Sequence, residues 1–467
     1  MPTIDESSGS PASSRWRKLR QLQIARRLQD LRVPQSNRLE ALRGDCAGQH
    51  SITNAYGLED RKQERGFLPS TVLTIGFITK PFTARAILKI QEMSRLQMHD
   101  SSVDLIDTPH RNWSTSGTLI PVRQLMKIGL GLYPHLLTSE TYRFAFQAGA
   151  THIVAHLPGF SRREGRGLPP EQMWTLDELA ELKRSMNDAG LEFAAIENFE
   201  VEHWYDVLLD GPLRDEQMAG LKQLLRNMGQ LGIGVMGYNF SYANVWGTTR
   251  VTRARGNAPA PGYSTDLAPP QAEIPKGMVW NTVYDEDAPE GTIGTVSEEQ
   301  IWERYERFLT ELVPVAEEAE VRLAMHPADP PLEVINGTAR MVTRPEHYQR
   351  LLDLVPSHYH AAEFCQGTIA EMDGEMDVYE AIETYAGQGR IAYVHLRNVV
   401  GKVPDYYETF IDDGDVDMVK ALKLYKKHGF DGVIIPDHSP EMTCQAPWHA
   451  GMAYALGWIR GVIATLD

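Results

Sequence analysis

Eight short apolar runs, each followed by a segment of helical period, constrain this chain more than any other feature. They are KIGLGL (127–132), THIVAHL (151–157), EFAAIEN (192–198), IGVMGYNF (233–240), RLAMHP (322–327), YHAAEFC (359–365), IAYVHLRN (391–398) and DGVIIPDH (431–438). Short Val/Ile/Leu-rich runs separated by amphipathic segments are the pattern of parallel strands joined by crossover helices. Thr175 and Ser297 stand where N-caps belong, and Gly190 stands where a helix should stop. Eight such units predict a (β/α)8 barrel, a TIM barrel, over residues 126–467. An open doubly wound sheet would also hold eight strands, but neither G-x-G-x-x-G nor a P-loop follows any of them.

Two stretches lie outside this repeat. Residues 241–296 form a long insertion between strand four and its helix, and GNAPAPGYSTDLAPPQAEIPKG within it argues against regular structure. Sitting on the βα side, it is expected to cover the end of the barrel where active sites lie. At the other extreme, residues 1–65 carry 12 Lys/Arg against 8 Asp/Glu and read as a basic, disordered or weakly helical extension. Residues 66–125 form an N-terminal segment with some apolar pattern and no assignable architecture.

The whole chain has a formal net charge of -16, and its basic residues cluster only in that extension, so nucleic acid is not an expected partner. No run approaches the ~18 apolar residues of a membrane span, and residues 1–14 lack the apolar core of a signal peptide. With three cysteines too widely spaced for a disulfide framework, the expected location is the reducing cytoplasm. A homo-oligomer is compatible with all of this.

The chemistry gathers at the ends of the last four strands. Strand five ends in His326, strand six in Cys365, strand seven in His395 and strand eight in Asp437 followed by His438. Side chains at one rim of a barrel, on consecutive strands, can converge on one ion, and a Cys/His/His/Asp set suits Fe(II), Zn(II) or Mn(II) better than Mg(II) or Ca(II). Each of these residues alone would more often be a buried hydrophobe, a hydrogen-bonded core histidine or a turn cap. Their shared position on four strands is what favours a metal. His438 follows a ligand directly and is the candidate for proton transfer. Arg397, two residues past His395, could fork onto a substrate carboxylate, while Asn239, His156 and Glu197 end strands four, two and three as candidate substrate binders; Glu197 could also be an extra ligand.

HPADPP, CQGT, HLRN, GDVDM (414–418), PDH (436–438), GYNF (237–240) and PVAEEAEVRLAMHP resemble the mannonate dehydratase family in combination and order across residues 126–467. The resemblance implies dehydration of the sugar acid D-mannonate to 2-keto-3-deoxy-D-gluconate with Mn(II) or Fe(II). It also implies His326, Cys365, His395 and Asp437 as ligands and His438 as the catalytic histidine. Two family features are missing. Ile411 stands where the family has a histidine ahead of the GDVDM stretch, and Trp448 and His449 stand where it has a Pro-Gly-Tyr step. His449, or Tyr406 or Tyr407 from the strand-seven loop, are the candidates to take over acid/base work. A metal-dependent sugar isomerase or epimerase, and a catalytically silent barrel that binds a sugar acid, remain open beside the dehydratase reading.

Overall fold

The computed structural model describes residues 58–60, 65–66, 126–157 and 174–466. The chain divides after Ile120. In the first unit Leu58–Asp60 pairs antiparallel with Arg65–Gly66; the expectations for the rest of residues 1–125 lie outside the described residues. In the second unit a closed parallel barrel is built from β1 (Lys127–Leu132), β2 (His152–Ala155), β3 (Glu192–Glu197), β4 (Val235–Tyr238), β5 (Arg322–Met325), β6 (His360–Cys365), β7 (Ile391–His395) and β8 (Val433–Ile435). Each falls in one of the eight apolar runs. Neighbours in sequence are neighbours in space, and β8 closes onto β1 through Val433 opposite Lys127.

The period of two along each strand sorts the core into two regions. Val154, Ala195, Ala324, Ala361, Tyr393, Val433 and Ile435 pack together inside the barrel. Ile153, Ile196, Leu323, Phe364 and Ile434 pack outward in the larger core that includes the helices. Continuing the inward parity by one or two steps past these residues brings His156, Glu197, His326, Cys365, His395 and Asp437 to the C-terminal end of the barrel. The same parity places Glu363 inside, two residues before Cys365.

Helix 176–188 starts on a capping box made by Thr175 and Glu178, and Gly190 lies just past its C-cap at φ +84°. Helix 298–319 starts on the equivalent box of Ser297 and Gln300. Both starts follow the sequence signals, because each cap satisfies backbone N–H groups that the first turn leaves free.

The insertion departs from expectation. Thr249–Ala254 and Ala258–Ser264 are strands in a four-stranded antiparallel sheet, completed by Asn398–Lys402 and Asp405–Thr409 from the loop after β7. Proline content argued against a strand at 258–264, yet its partner hairpin pairs only with Gly262, Tyr263 and Ser264, so Pro259 and Pro261 take no part in that ladder. The pairing partner lies about 140 residues away, beyond the reach of any local pattern. The backbone N–H of Glu441 donates to Pro259 O at 2.9 Å, and Arg250 pairs with Glu441, tying this sheet to the loop after β8.

A polar chain crosses the outer core. Tyr238 Oη lies 2.9 Å from Tyr305 Oη, which lies 3.2 Å from His360 Nε2. Burial pushes the His360 imidazole down to about 4. The native state therefore holds His360 neutral while an unfolded chain protonates it near 6.5, so stability is lost as pH falls from about 6.5 to 4, on the order of 3 kcal/mol from this group. Urea unfolding at pH 7.0 and 4.5 should show that decline, and a His360→Phe variant should show a smaller one. Equal declines in both proteins would contradict it.

Candidate metal centre and active site

Donor atoms of His326, Cys365 and His395 lie within 4.8 Å of one another, and those of Glu197, Glu363 and His395 form a second such group. Asp437 Oδ2 is 3.4 Å from His395 Nδ1. The four expected metal ligands thus meet around one imidazole. His326 Nδ1 is 2.7 Å from the carbonyl of its neighbour Pro327, so Nδ1–H is held by that carbonyl and Nε2 is left to coordinate. Asn239 Nδ2 donates to the same carbonyl at 3.2 Å. It anchors the His326 turn, rather than presenting its amide nitrogen to a substrate.

Cys365 is prepared as a thiolate. Burial alone would raise its thiol, but the Arg397 guanidinium and His326 bring it down to about 5. The Thr368 hydroxyl, 3.1 Å from Sγ, can donate to it. His326 correspondingly rises to about 9, with burial opposing and Cys365 driving the shift. A buried thiolate with two imidazoles and a carboxylate at hand is the donor chemistry of a first-row divalent ion. Orphaned atoms support the fit: both ring nitrogens of His395, Glu197 Oε2 and Glu363 Oε2 are buried without a hydrogen-bond partner.

Arg397 is 3 % exposed and its fork is directed into the protein. Nη2 donates to Asp329 Oδ2 at 2.7 Å and to Thr368 Oγ1 at 2.8 Å, and lies 3.4 Å from Glu371; Nη1 donates to Asp437 Oδ2 at 2.9 Å and lies 3.3 Å from Glu408. The expected substrate fork is therefore occupied by four carboxylates. Gly367 makes room for this side chain, since a Cβ there would collide with Arg397 Cγ.

His438 sits between protein and solvent, with about 34 % of its side chain exposed. Its Nδ1 lies 2.9 and 3.0 Å from the two oxygens of Glu408. Burial would lower this imidazole, but Asp437 and Glu408 hold it well above its usual range. His156 Nε2 lies 3.1 Å from Glu197 Oε1, and the His156 ring stacks on Tyr133 at 4.8 Å. Burial raises the Glu197 carboxyl, yet His156 and His395 pull it well below the usual carboxylate range. Glu363 moves the other way, to about 8, through burial and the charge of Glu197.

Two expected residues are not brought to the cluster. Tyr407 lies under the Arg253 guanidinium, 4.4 Å from its ring centroid, because alternation along its strand turns Tyr406 and Glu408 toward the site and Tyr407 away. Tyr406 Oη donates to Asp329 Oδ1 at 3.1 Å. His449 packs edge-on against Phe144, with ring centroids 4.7 Å apart. Tyr407→Phe and His449→Gln should each keep kcat within about threefold of the parent, against the ~100-fold or larger loss of a true acid or base; steady-state kinetics decide.

Several site residues were missed from the sequence: Asp329, Glu363, Thr368, Glu371 and Glu408. Glu363 had a readable signal, a carboxylate at an inward position of an otherwise apolar strand. Asp329 lies inside HPADPP, three residues past His326. For Glu371 and Glu408 no local pattern pointed to Arg397 or His438.

A family model described as D-mannonate dehydratase (UxuA) matches residues 142–266 and 272–467. A mannonate dehydratase of Streptococcus pneumoniae is 33 % identical over 286 residues, spanning 58 % of this chain and 76 % of the relative. One from Thermotoga petrophila is 29 % identical over 306 residues, covering 61 % and 84 %. Among solved structures, mannonate dehydratase from Streptococcus suis superposes with a TM-score of 0.58 at 28 % identity, over 72 % of this chain and 92 % of that one.

Proposed function

Since the chain belongs to the D-mannonate dehydratase family and is a sugar-acid dehydratase, a carbon–oxygen lyase, we propose that it acts on D-mannonate with His326, Cys365, His395 and Asp437 as its metal ligands and His438 as its proton carrier. The family is metal-dependent; Mn(II) or Fe(II) is the ion we assign. What carries the reading is the convergence of three donors from β5, β6 and β7, with Asp437 beside them, around the His395 ring.

Dehydration across C2 and C3 of an aldonate removes a weakly acidic proton next to a carboxylate and expels hydroxide, a poor leaving group. Bound to the four ligands, a divalent ion supplies stabilisation of the negative charge that develops on the carboxylate. The protein's own groups do the rest. His438, partly open to solvent and held through Nδ1 by Glu408, is placed to carry both protons: it delivers one to the C3 oxygen, which leaves as water, and the neutral imidazole so formed takes the one lost from C2. Asp437, two residues past the end of β8, keeps that ring beside the ligand set, with its Oδ1 3.6 Å from Nε2. Glu197 and His156 form a second charged pair on the opposite strands, placed for the sugar hydroxyls. Arg397 acts as a positioning residue for Asp437 and Glu408.

His438→Asn should retain bound metal and lose about 100- to 10,000-fold in kcat, the range of general acid–base catalysis. Unchanged kcat with unchanged metal would remove His438 from the reaction. Substrate choice is tested by incubating the Mn(II)-loaded protein with a panel of epimeric aldonates and measuring 2-keto-3-deoxy acid. Turnover of D-mannonate ahead of its epimers is the expected result; preference for another epimer would overturn the substrate assignment. Glu197 and Glu363 add the carboxylates that an isomerase or epimerase reading requires, and aldose–ketose or epimer interchange in the same assay would favour that reading instead.

A further inference from the structure

We propose that Tyr133 is a specificity-determining residue whose hydroxyl donates to the C4 hydroxyl of the sugar acid, a reading that rests on the dehydratase function above. Tyr133 follows β1 directly. Ile128, Leu130 and Leu132 of that strand turn outward into the larger core, so the alternation carries Gly129, Gly131 and Tyr133 inward. The glycines leave the interior to Val433 and Ile435, which a Cβ at Gly129 would strike. Tyr133 is thus the side chain that β1 sends to the C-terminal end of the barrel. Pro134 comes next and restricts it to extended backbone, observed at φ -73° and ψ 160°.

The Tyr133 ring is held while its hydroxyl is left open. The ring stacks on His156, with centroids 4.8 Å apart and planes 14° from parallel, and also on His135 at 6.4 Å. Glu197, 3.1 Å from His156 Nε2, fixes that imidazole in turn. The Tyr133 hydroxyl has no hydrogen-bond partner among the described residues, and the residue is 41 % exposed. Tyr406, by comparison, already donates to Asp329. The charge of His438 lowers the Tyr133 phenol, but burial and the charges of Asp437, Glu197 and Glu408 carry it above its usual value. At neutral pH it therefore keeps its proton and can donate.

Position decides which hydroxyl it meets. Round the rim, β5, β6 and β7 bring His326, Cys365 and His395, β8 leads to Asp437 and His438, β1 leads to Tyr133 and β2 to His156. A sugar acid with its carboxylate at the assigned ligands and its C2 and C3 facing His438 extends next past β1. The first group beyond the reacting carbons is the C4 hydroxyl, and Tyr133 stands next round the rim with a free donor.

The test compares two substrates rather than two rates. Tyr133→Phe keeps the stack on His156 and removes only the hydroxyl. Parent and variant, each loaded with Mn(II), are assayed for 2-keto-3-deoxy product on D-mannonate and on its 4-deoxy analogue. The ratio of kcat/KM for D-mannonate over the analogue should fall about three- to tenfold in Tyr133→Phe, the scale of one hydrogen bond between neutral groups. The loss should lie mainly in KM for D-mannonate, with metal content unchanged. Tyr133→Leu, which also frees the His156 ring, should show the same fall in the ratio together with a loss on both substrates. An unchanged ratio in Tyr133→Phe overturns the proposal, as do equal losses on both substrates, which would leave the ring as a structural cover alone. If the parent turns over an epimer ahead of D-mannonate, the substrate assignment fails instead; the ratio is then measured on that epimer and its 4-deoxy analogue, and the same outcomes decide the role of Tyr133.

Discussion

Cys365→Ser should lose the ion we assign to His326, Cys365, His395 and Asp437 and, with it, at least about a thousandfold in kcat/KM, because charge stabilisation of this kind accounts for several kcal/mol of the barrier. Serine keeps the size of the side chain but not its chemistry. The Cys365 thiol is already lowered to about 5, so it is a thiolate at neutral pH, whereas a serine hydroxyl there stays protonated. Metal analysis after gel filtration, together with the product assay, reads both effects. Retained metal and retained activity would show that Cys365 is a buried small residue and not a ligand.

Arg397→Met should unfold the barrel more readily by about 3–5 kcal/mol, the scale for removing one member of a buried ion network. One guanidinium faces Asp329, Glu371, Glu408 and Asp437, which come from the loop after β5, the helix after β6, the strand 405–409 and the loop after β8. Its loss leaves buried carboxylates facing one another across a site with little water. Burial already pushes the Glu371 carboxyl well above its usual range even with Arg397 present, so that residue has no reserve of counter-charge. Urea titration of Arg397→Met and Arg397→Lys makes the comparison, with lysine intermediate because it keeps the charge but not the fork. A methionine variant within about 1 kcal/mol of the parent would mean that the network contributes nothing net to stability.

These two residues also mark the limit of what the chain discloses before folding. Cys365 reads as a candidate ligand because it ends one strand of a series in which the others lead to His326, His395 and Asp437. Arg397 could be placed on the correct side of its strand by the same parity, yet its partners could not. Asp329 lies in a loop, Glu371 in the helix after β6 and Glu408 in the strand 405–409, and no periodicity relates them to Arg397. Tyr407 shows the same limit at one-residue resolution: Tyr406 and Tyr407 are equivalent in composition, and only the pairing register of their strand decides which one faces Asp329.

The alternation of apolar runs and capped helical segments determined the barrel, its strand order and the rim on which His326, Cys365, His395 and Asp437 stand. Those features follow from periodicity and from parallel crossover geometry, both of which are local. The tertiary structure alone decided that the Pro-rich insertion pairs with the hairpin at 398–409, that Glu408 holds His438, that Arg397 is enclosed by carboxylates, and that Glu197 and Glu363 meet at His395. Each of these joins residues tens to hundreds of positions apart, and such pairings are selected by burial and charge only once the barrel has closed.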